Sequence, residues 1–164
     1  MIYTGIDPGT EKSGLVVMDG DTLTYSADLQ NFYARQQLGH GTQVICEWLN
    51  CMGMPVGQSS FHTCRWIGRF QEYHESRSTR DTFHLIERDA VKLALCNSIR
   101  GVTDAVIRRR LLDLFPQTGG GKTPAIGTKA QPGPLYGLSG HATQALAAVV
   151  AWRMNNNQWE RGQL

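Results

Sequence analysis

The chain has 164 residues, 41% of them hydrophobic and 18% charged, which predicts a single domain over residues 1–164 with a full core. No apolar run approaches the roughly 20 residues of a membrane span, and no basic segment followed by an apolar one opens the chain, so we expect neither a span nor a secretion signal. Residues 1–50 hold two basic and six acidic side chains, whereas residues 51–164 hold fourteen and eight. An acidic pocket beside a basic surface suits a metal-dependent enzyme acting on a polyanion, although chance also produces such a split.

The four cysteines are Cys46, Cys51, Cys64 and Cys96, and none of them forms a CxxC pair. This spacing argues against a zinc ribbon or a redox pair. We therefore expect reduced, half-buried thiols in a cytoplasmic protein.

The first apolar run, residues 2–6, predicts a strand that ends in Asp7, after which Pro8 and Gly9 force a turn. Residues 13–18 and 22–26 predict two further strands joined by a hairpin at residues 19–21, so that the first three strands are antiparallel. A carboxylate fixed at a strand end is either a metal ligand or a hydrogen-bond acceptor within its own turn. Asp7 taken alone favours the second interpretation.

After a short helix or irregular connection at residues 31–39, residues 43–47 predict a strand buried on both faces that ends in Glu47. If this strand is a parallel neighbour of the first, Asp7 and Glu47 emerge at the same sheet edge, about 4.8 Å apart and within reach of one cation. That edge is also where open α/β sheets bind their ligands.

A loop over residues 52–60 precedes a predicted helix at residues 61–76, whose arginines fall largely away from its apolar face. The residues that recur at helical spacing on that face are Phe61, Cys64, Ile67, Gly68 and Phe70 or Gln71. Gly68 weakens the middle of this helix unless close packing uses it. A helix contact within the fold or across a dimer would do so, and an ordinary core-facing helix is the alternative.

A short strand at residues 82–86 is followed by a short helix at residues 87–95. Thr103 is a predicted N-cap for a helix that Pro116 stops, and its three consecutive arginines, residues 108–110, read as a solvated face.

Residues 116–140 contain seven glycines and four prolines, which predicts a long flexible loop. A phosphate-binding loop around Lys122 is excluded, because Pro116 stands where that motif needs a glycine. Lys122, Lys129 and Tyr136 either contact a nucleic-acid backbone or base, or belong to a solvated loop.

The final helix is predicted over residues 139–154, with Ser139 as its N-cap. His141 and Gln144 lie on one face of its first turn. The imidazole either completes a metal site at the sheet edge or hydrogen-bonds locally at the helix end.

The ordered motifs resemble those of the ribonuclease H-like nucleases and, more narrowly, the RuvC-type Holliday-junction resolvases in a version like those of bacteriophages. The motifs that carry the resemblance span nearly the whole chain: Gly5–Thr10 with Gly14, Val44–Glu47, Trp66–Arg69, Arg88–Lys92 and His141–Ala147. The resemblance implies an α/β, ribonuclease H-like fold, with a mixed five-stranded sheet and helices on both faces. It also implies a homodimer formed through the 61–76 helix.

The activity implied is cleavage of Holliday junctions or other branched DNA by a Mg²⁺- or Mn²⁺-dependent endonuclease with two ions. By resemblance, Asp7 would bridge both ions and Glu47 would hold one. His141 would hold the other or orient the water, and Gln144 would be a weak ligand or lie just outside the ligands. Lys92 would neutralise the scissile phosphate. The further DNA contacts implied are Arg69, Lys92, Lys122, Lys129 and Tyr136.

The chain departs from the family at two positions. Gln144 stands where the family usually has an acid, and Asp104 stands where many members have a lysine, so Asp104 either adds a carboxylate or caps its helix. A non-catalytic or impaired branched-DNA binding protein, a broader flap and fork nuclease, and a nuclease acting on RNA are the alternatives.

Overall fold

A computed structural model describes residues 1–39, 42–50, 53, 55–77 and 82–159. Within these ranges the chain forms, in order, β1 (Ile2–Asp7), β2 (Lys12–Asp19), β3 (Thr22–Gln30), α1 (Asn31–Gln36), β4 (Thr42–Trp48), α2 (Gln58–Glu75), β5 (Phe83–Glu87), α3 (Arg88–Cys96), α4 (Asp104–Leu114) and α5 (Gly140–Asn155).

The strands form one mixed sheet in the order β3-β2-β1-β4-β5. β2 is antiparallel to both of its neighbours, β1 and β3, whereas β4 is parallel to both β1 and β5. Asp19 pairs with Thr22 across the predicted hairpin, and Gly20 takes the positive φ of 54° that such a tight turn requires. The predicted five-stranded mixed sheet is confirmed, including the parallel contact between the first and fourth strands.

Helices cover both faces of the sheet, as expected. Because side chains alternate along a strand, Tyr3 and Ile45 pack in one core with α3, α4 and α5, and Ile6 and Val44 pack in another with α1 and α2. Asp7 lies four residues after Tyr3 on β1, and Glu47 lies two residues after Ile45 on β4, so each acid is on the same face of the sheet as that residue. Both carboxylates are therefore on the α5 side of the sheet.

Two element boundaries differ from the prediction. β3 continues to Gln30 instead of ending at residue 26, because it pairs with β2 along its whole length. α2 begins at Gln58 instead of residue 61, directly after Gly57. Of the predicted loop at residues 52–60, Met52 and Met54 lie outside the described residues.

α2 is a core-facing helix, but its buried face differs in part from the predicted one. The face turned to the sheet consists of Thr63, Ile67, Phe70 and His74, whereas Phe61 is 66% exposed. A Cβ added at Gly68 would meet nothing within 4 Å, so packing within the described fold does not use this glycine. A contact across a dimer stays a prediction.

Of the predicted loop at residues 116–140, residues 116–139 precede α5 and form no helix or strand apart from one isolated bridge between Gly127 and Pro132. The segment is nevertheless anchored in the core, since Ala125 and Leu135 are fully buried and the Leu135 N–H donates to the Ala125 carbonyl at 2.8 Å. That this segment is flexible stays a prediction. The burial of Ala125 and Leu135 and the hydrogen bond between them argue against that flexibility.

No helix of the described ranges is long and apolar enough to cross a membrane. Cys46, Cys64 and Cys96 are free thiols, as the spacing predicts, and Cys51 lies outside the described residues.

Candidate active site

The carboxyl ends of β1 and β4 bring two acids together. The parallel register pairs Ile6 with Cys46, and the same offset sets Asp7 beside Glu47. The two side chains are only 16% and 14% exposed. Neighbouring parallel strands lie about 4.8 Å apart, so the predicted convergence of two acids at one sheet edge follows directly from the register.

The turn after β1 does not use the Asp7 carboxylate. Gly9 donates its N–H to Ser13 Oγ at 3.3 Å, and the buried Asn31 donates from Nδ2 to the Gly9 carbonyl at 2.9 Å. Ser13 in turn donates to Asn31 Oδ1 at 2.6 Å. Since these side chains hold the turn, Asp7 is left to interact across the fold, and the local interpretation of this residue is wrong.

Two glycines let α5 lie directly on the sheet. A Cβ at Gly5 of β1 would overlap the Ala145 carbonyl and Val149 of α5, and one at Gly14 of β2 would overlap the backbone of His141. This close approach carries the first turn of α5 to the strand ends. The glycines of the opening motif therefore have a packing role beside the acid.

The N-terminus of α5 is capped from a distant strand. Asp28 of β3 accepts the N–H groups of His141 at 3.2 Å and of Ala142 at 2.8 Å, whereas Ser139, the predicted cap, makes no side-chain capping bond. A carboxylate at this end also interacts favourably with the helix dipole. Asp28 thus fixes the end of the helix that carries His141.

His141 reaches the first of the two acids. Its Nδ1 lies 2.8 Å from Asp7 Oδ2, while the imidazole remains 58% exposed to the groove outside. The hydrogen bond to Asp7 raises the pKa of His141, outweighing partial burial. The histidine of the last motif therefore meets the acid of the first, as predicted.

Arg88, the first residue of α3, joins the rest of the site. Its Nη1 donates to Glu47 Oε2 at 3.2 Å and to Gln144 Oε1 at 2.7 Å, and its Nη2 donates to Asp104 Oδ1. Asp104 is therefore a carboxylate of the site, and the expectation that it caps its own helix from Thr103 is wrong, since α4 has no side-chain cap.

Burial dominates the electrostatics of the acids. It raises the pKa of Asp7, although the His141 hydrogen bond lowers it, and it raises the pKa of Glu47 to about 7 despite the opposing charge of Arg88. The thiol of the adjacent Cys46 is buried beside both acids, and its pKa is raised well above the ordinary value. This thiol is accordingly no nucleophile at neutral pH.

An open groove of about 410 Å³ borders the site between the first turns of α4 and α5. Asp104 and Arg108 line one side, and His141 and Gln144 line the other. In the part of the chain that the structure describes, no group of three or more His, Cys, Asp or Glu side chains is arranged to hold a metal ion. The predicted metal site of Asp7, Glu47, His141 and Gln144 is thus only partly formed by these side chains.

The other predicted contact residues lie elsewhere. Lys92 is one helical turn beyond Arg88 and pairs with Asp89 at 3.4 Å. Arg69 stacks on Trp66 at 4.7 Å, on the helix that covers the opposite face of the sheet. The three predicted contacts of the 116–140 segment are on its surface: Lys122, Lys129 and Tyr136.

Sequence reasoning missed the parts played by three residues. Arg88 belongs to the Arg88–Lys92 motif, but the motif predicts no role for it. Asp28 and Arg108 have no predicted role in the site. The strand pattern could have located Arg88, because this residue comes directly after β5. Asp7 and Glu47 likewise lie at the ends of β1 and β4. Nothing local marks Asp28, because its capping bond joins residues more than a hundred positions apart.

No protein-family model and no curated protein matches the chain by sequence. Among solved structures, the chain is similar to Thermus thermophilus RuvC, with a TM-score of 0.62 and 13% identity over 99% of this chain and 100% of that one. It is also similar to T. thermophilus RuvC in complex with a Holliday junction substrate, with a TM-score of 0.59 and 14% identity over 95% of this chain and 94% of that one.

These likenesses define the class of fold. The chain has an α/β fold of the ribonuclease H-like type, as the motifs predicted. More particularly, it has the fold of RuvC over nearly its entire length.

Proposed function

We propose that the chain is a divalent-cation-dependent endonuclease that hydrolyses phosphodiester bonds in Holliday junctions or other branched DNA. The observation that carries the proposal is the pair of buried acids, Asp7 and Glu47, at adjacent parallel strand ends of a RuvC-like fold. The similar RuvC structure that holds a Holliday junction supports branched DNA as the substrate class.

The chemistry of the donors fits one Mg²⁺ or Mn²⁺ ion. Two carboxylates suffice for an ion that keeps several waters and takes further oxygens from a phosphate. Burial raises the pKa of both Asp7 and Glu47, which shows that their negative charge is poorly compensated by the described side chains. Asp7 and the carboxylate oxygen of Glu47 that is not bonded to Arg88 would hold the ion, which when bound supplies an activated water and neutralises phosphate charge.

The chain's own residues would position the DNA and handle protons. His141 is exposed to the groove with its Nδ1 held by Asp7, so its other ring nitrogen can meet a phosphate or a water. The hydrogen bond to Asp7 raises the pKa of His141 and so keeps the ring charged closer to neutral pH. Arg108 adds a permanent positive charge on the other side of the groove. Each of these groups favours binding of a polyanionic backbone.

The test of this function is Asp7→Asn, which keeps the shape and the hydrogen-bonding capacity of the side chain. We expect loss of Mg²⁺-dependent junction cleavage by at least about a hundredfold, the scale of removing one preorganised electrostatic group, with junction binding retained. Asp19→Asn, at an exposed acid at the opposite end of the sheet, is the control and should cleave normally. Unchanged cleavage by the Asp7 variant would refute the proposal.

Two other functions compete with a Holliday-junction resolvase. Gln144 bonds to Arg88 where the family usually has an acid, which favours a binding protein without catalysis. Tight junction binding with no cleavage in Mg²⁺ or Mn²⁺ would identify that protein. Comparing a four-way junction, a fork and a plain duplex would separate a resolvase from a broader flap and fork nuclease.

We also propose a homodimer through α2, because a junction has two-fold symmetry and needs two cuts. Gly68 and Phe61 support this interface, since Gly68 opens onto free space and Phe61 is 66% exposed. Gly68→Arg should shift the protein from dimer to monomer in sedimentation, and His62→Arg, exposed on another side of α2, should not. A wild-type monomer at micromolar concentration would refute the dimer.

A further inference from the structure

Arg88 is placed by the topology at the edge where the acids converge. β5 is parallel to β4 and pairs its Ile86 with Glu47, and α3 begins immediately after β5. The side chain of Arg88 is 21% exposed, so its guanidinium is largely removed from water. Because arginine stays protonated at every pH that a protein tolerates, its positive charge is permanent.

Three oxygens from three different elements converge on this guanidinium. Glu47 Oε2 comes from β4 at 3.2 Å, Gln144 Oε1 from α5 at 2.7 Å, and a carboxylate oxygen from Asp104 at the start of α4. Converging carboxylate and amide oxygens are also what a hard divalent ion takes as ligands. The side chains around Arg88 thus form a cation site that is filled by the chain itself.

This arrangement conflicts with a site for two ions. Glu47 and Gln144 are two of the four predicted metal ligands, and an oxygen of each already accepts a hydrogen bond from Arg88. On the other side, Asp7 is bonded to His141, and no described hydrogen bond links Asp7 to Arg88. Arg88 therefore supplies the cation on the side of Glu47 and Gln144. The side of Asp7 is left for a divalent ion from solution.

We propose that Arg88 is a built-in cation that takes the position of a second metal ion, so that the site binds a single divalent ion beside Asp7. The inference rests on the proposed function, in that a divalent ion binds at this site. It changes the expected chemistry, since the fixed guanidinium neutralises phosphate charge as a hydrogen-bond donor and cannot activate a water as a metal can.

The test counts bound Mn²⁺ on the full-length, DNA-free protein, by isothermal titration and by the electron paramagnetic resonance of free Mn²⁺. We expect one ion per chain in the wild type and two in Arg88→Gln, because the glutamine frees Glu47 and removes the competing charge. Arg108→Gln is the matched control: it removes an arginine that lines the groove beside the site and should leave one ion bound.

Two ions in the wild type, or one ion in both the wild type and Arg88→Gln, would overturn the inference while leaving the proposed function standing. Absence of bound Mn²⁺ from both proteins would overturn the inference and the metal dependence together. One ion in the wild type and two in Arg88→Gln, with no Mn²⁺-dependent junction cleavage by the wild type, would refute the proposed function and leave the inference standing.

Removing Arg88 leaves Glu47 without its positive partner, so the variant can lose stability. Circular dichroism with and without millimolar Mn²⁺ covers that case. If Arg88 acts as a cation in the fold, Mn²⁺ should restore folding and raise the melting temperature of Arg88→Gln by more than that of the wild type. A variant that stays unfolded in Mn²⁺ would contradict the inference.

Discussion

A half-buried or buried arginine lies at each end of α5, and the surroundings of the two differ: Arg153 belongs to the last turn of α5, and Arg88 of α3 bonds to Gln144 in its first turn. At the C-terminal end, Arg153 donates to the carbonyls of Gly20 and Gln158 and to Asp21, and lies between the rings of Tyr3 and Trp159. At the N-terminal end, Arg88 faces two carboxylates and an amide, with a third carboxylate, Asp7, bonded to a nearby histidine.

The difference shows how one residue type serves two purposes. Around Arg153, which is 4% exposed, the acceptors are mostly neutral carbonyls and the aromatic rings disperse the charge. Around Arg88, acids outnumber the cation, and the pKa of Glu47 remains raised by burial. The first arrangement stabilises the fold, whereas the second leaves negative charge for a ligand to neutralise.

The largest expected effect comes from removing Arg153 at the C-terminal end of α5. Arg153→Met keeps an apolar stem but removes a buried cation and four hydrogen bonds. We expect a loss of about 3–5 kcal/mol in the free energy of unfolding, as for other broken buried pairs. Urea denaturation measures it, with Arg110→Met, whose Nε donates to the Leu95 carbonyl, as a milder control. A loss below about 1 kcal/mol would mean that the two ends do not differ in this way.

The second effect is a pH dependence at the acidic end. The pKa of Glu47 is raised by burial from 4.5 to about 7, so folding favours its protonated form. The corresponding stability, about 3 kcal/mol, is present below pH 4.5 and is lost as the pH rises through about 7. The raised pKa values of Asp7 and His141 act in the same direction.

Denaturation of the metal-free protein between pH 4.5 and 7 measures this loss. Glu47→Gln should remove most of the decline, and Glu87→Gln, at the exposed end of β5, should preserve it. Mg²⁺ should flatten the curve of the wild type, because an ion that binds only the folded state offsets the cost of the charged acids. If the free energy of unfolding of the metal-free protein does not change with pH, the excess of negative charge assigned to this site is wrong.

The smallest effect concerns the support of His141. Asp28→Ala removes the acceptor of two helix N–H groups and should cost about 1–2 kcal/mol in the free energy of unfolding. Asp28→Asn retains an oxygen acceptor and should cost less. Urea denaturation of both variants, with Ser139→Ala as a control at the residue that makes no capping bond, checks the order. Equal losses in the alanine variants at 28 and 139 would refute the assignment.

Much of the fold was predictable because its elements are marked locally. Continuous apolar runs that end in an acid located β1 and β4, and their parallel pairing confirmed the meeting of Asp7 and Glu47. The amphipathic and apolar periodicities located α2 and α5. β3 was predicted too short, since its outer residues alternate weakly and only pairing with β2 extends it to Gln30.

The side chains that complete the site were harder to predict. Arg88 and Lys92 lie one turn apart on α3, so helical spacing cannot decide which of them reaches Glu47, and the structure selects Arg88. Asp28 replaces Ser139 as the cap of α5 through a contact between distant parts of the chain. Such contacts depend on how elements pack, which no local pattern encodes.

The absence of a side chain at Gly14 has a consequence for how this protein can vary. A single methyl group there would collide with the backbone of His141 and displace the first turn of α5, together with Gln144, from the strand ends. Position 14 bears no functional group, yet it sets the spacing between the acids and the helix. Inactive variants of this protein should therefore arise in the middle of a β-strand as well as at the residues that carry charge.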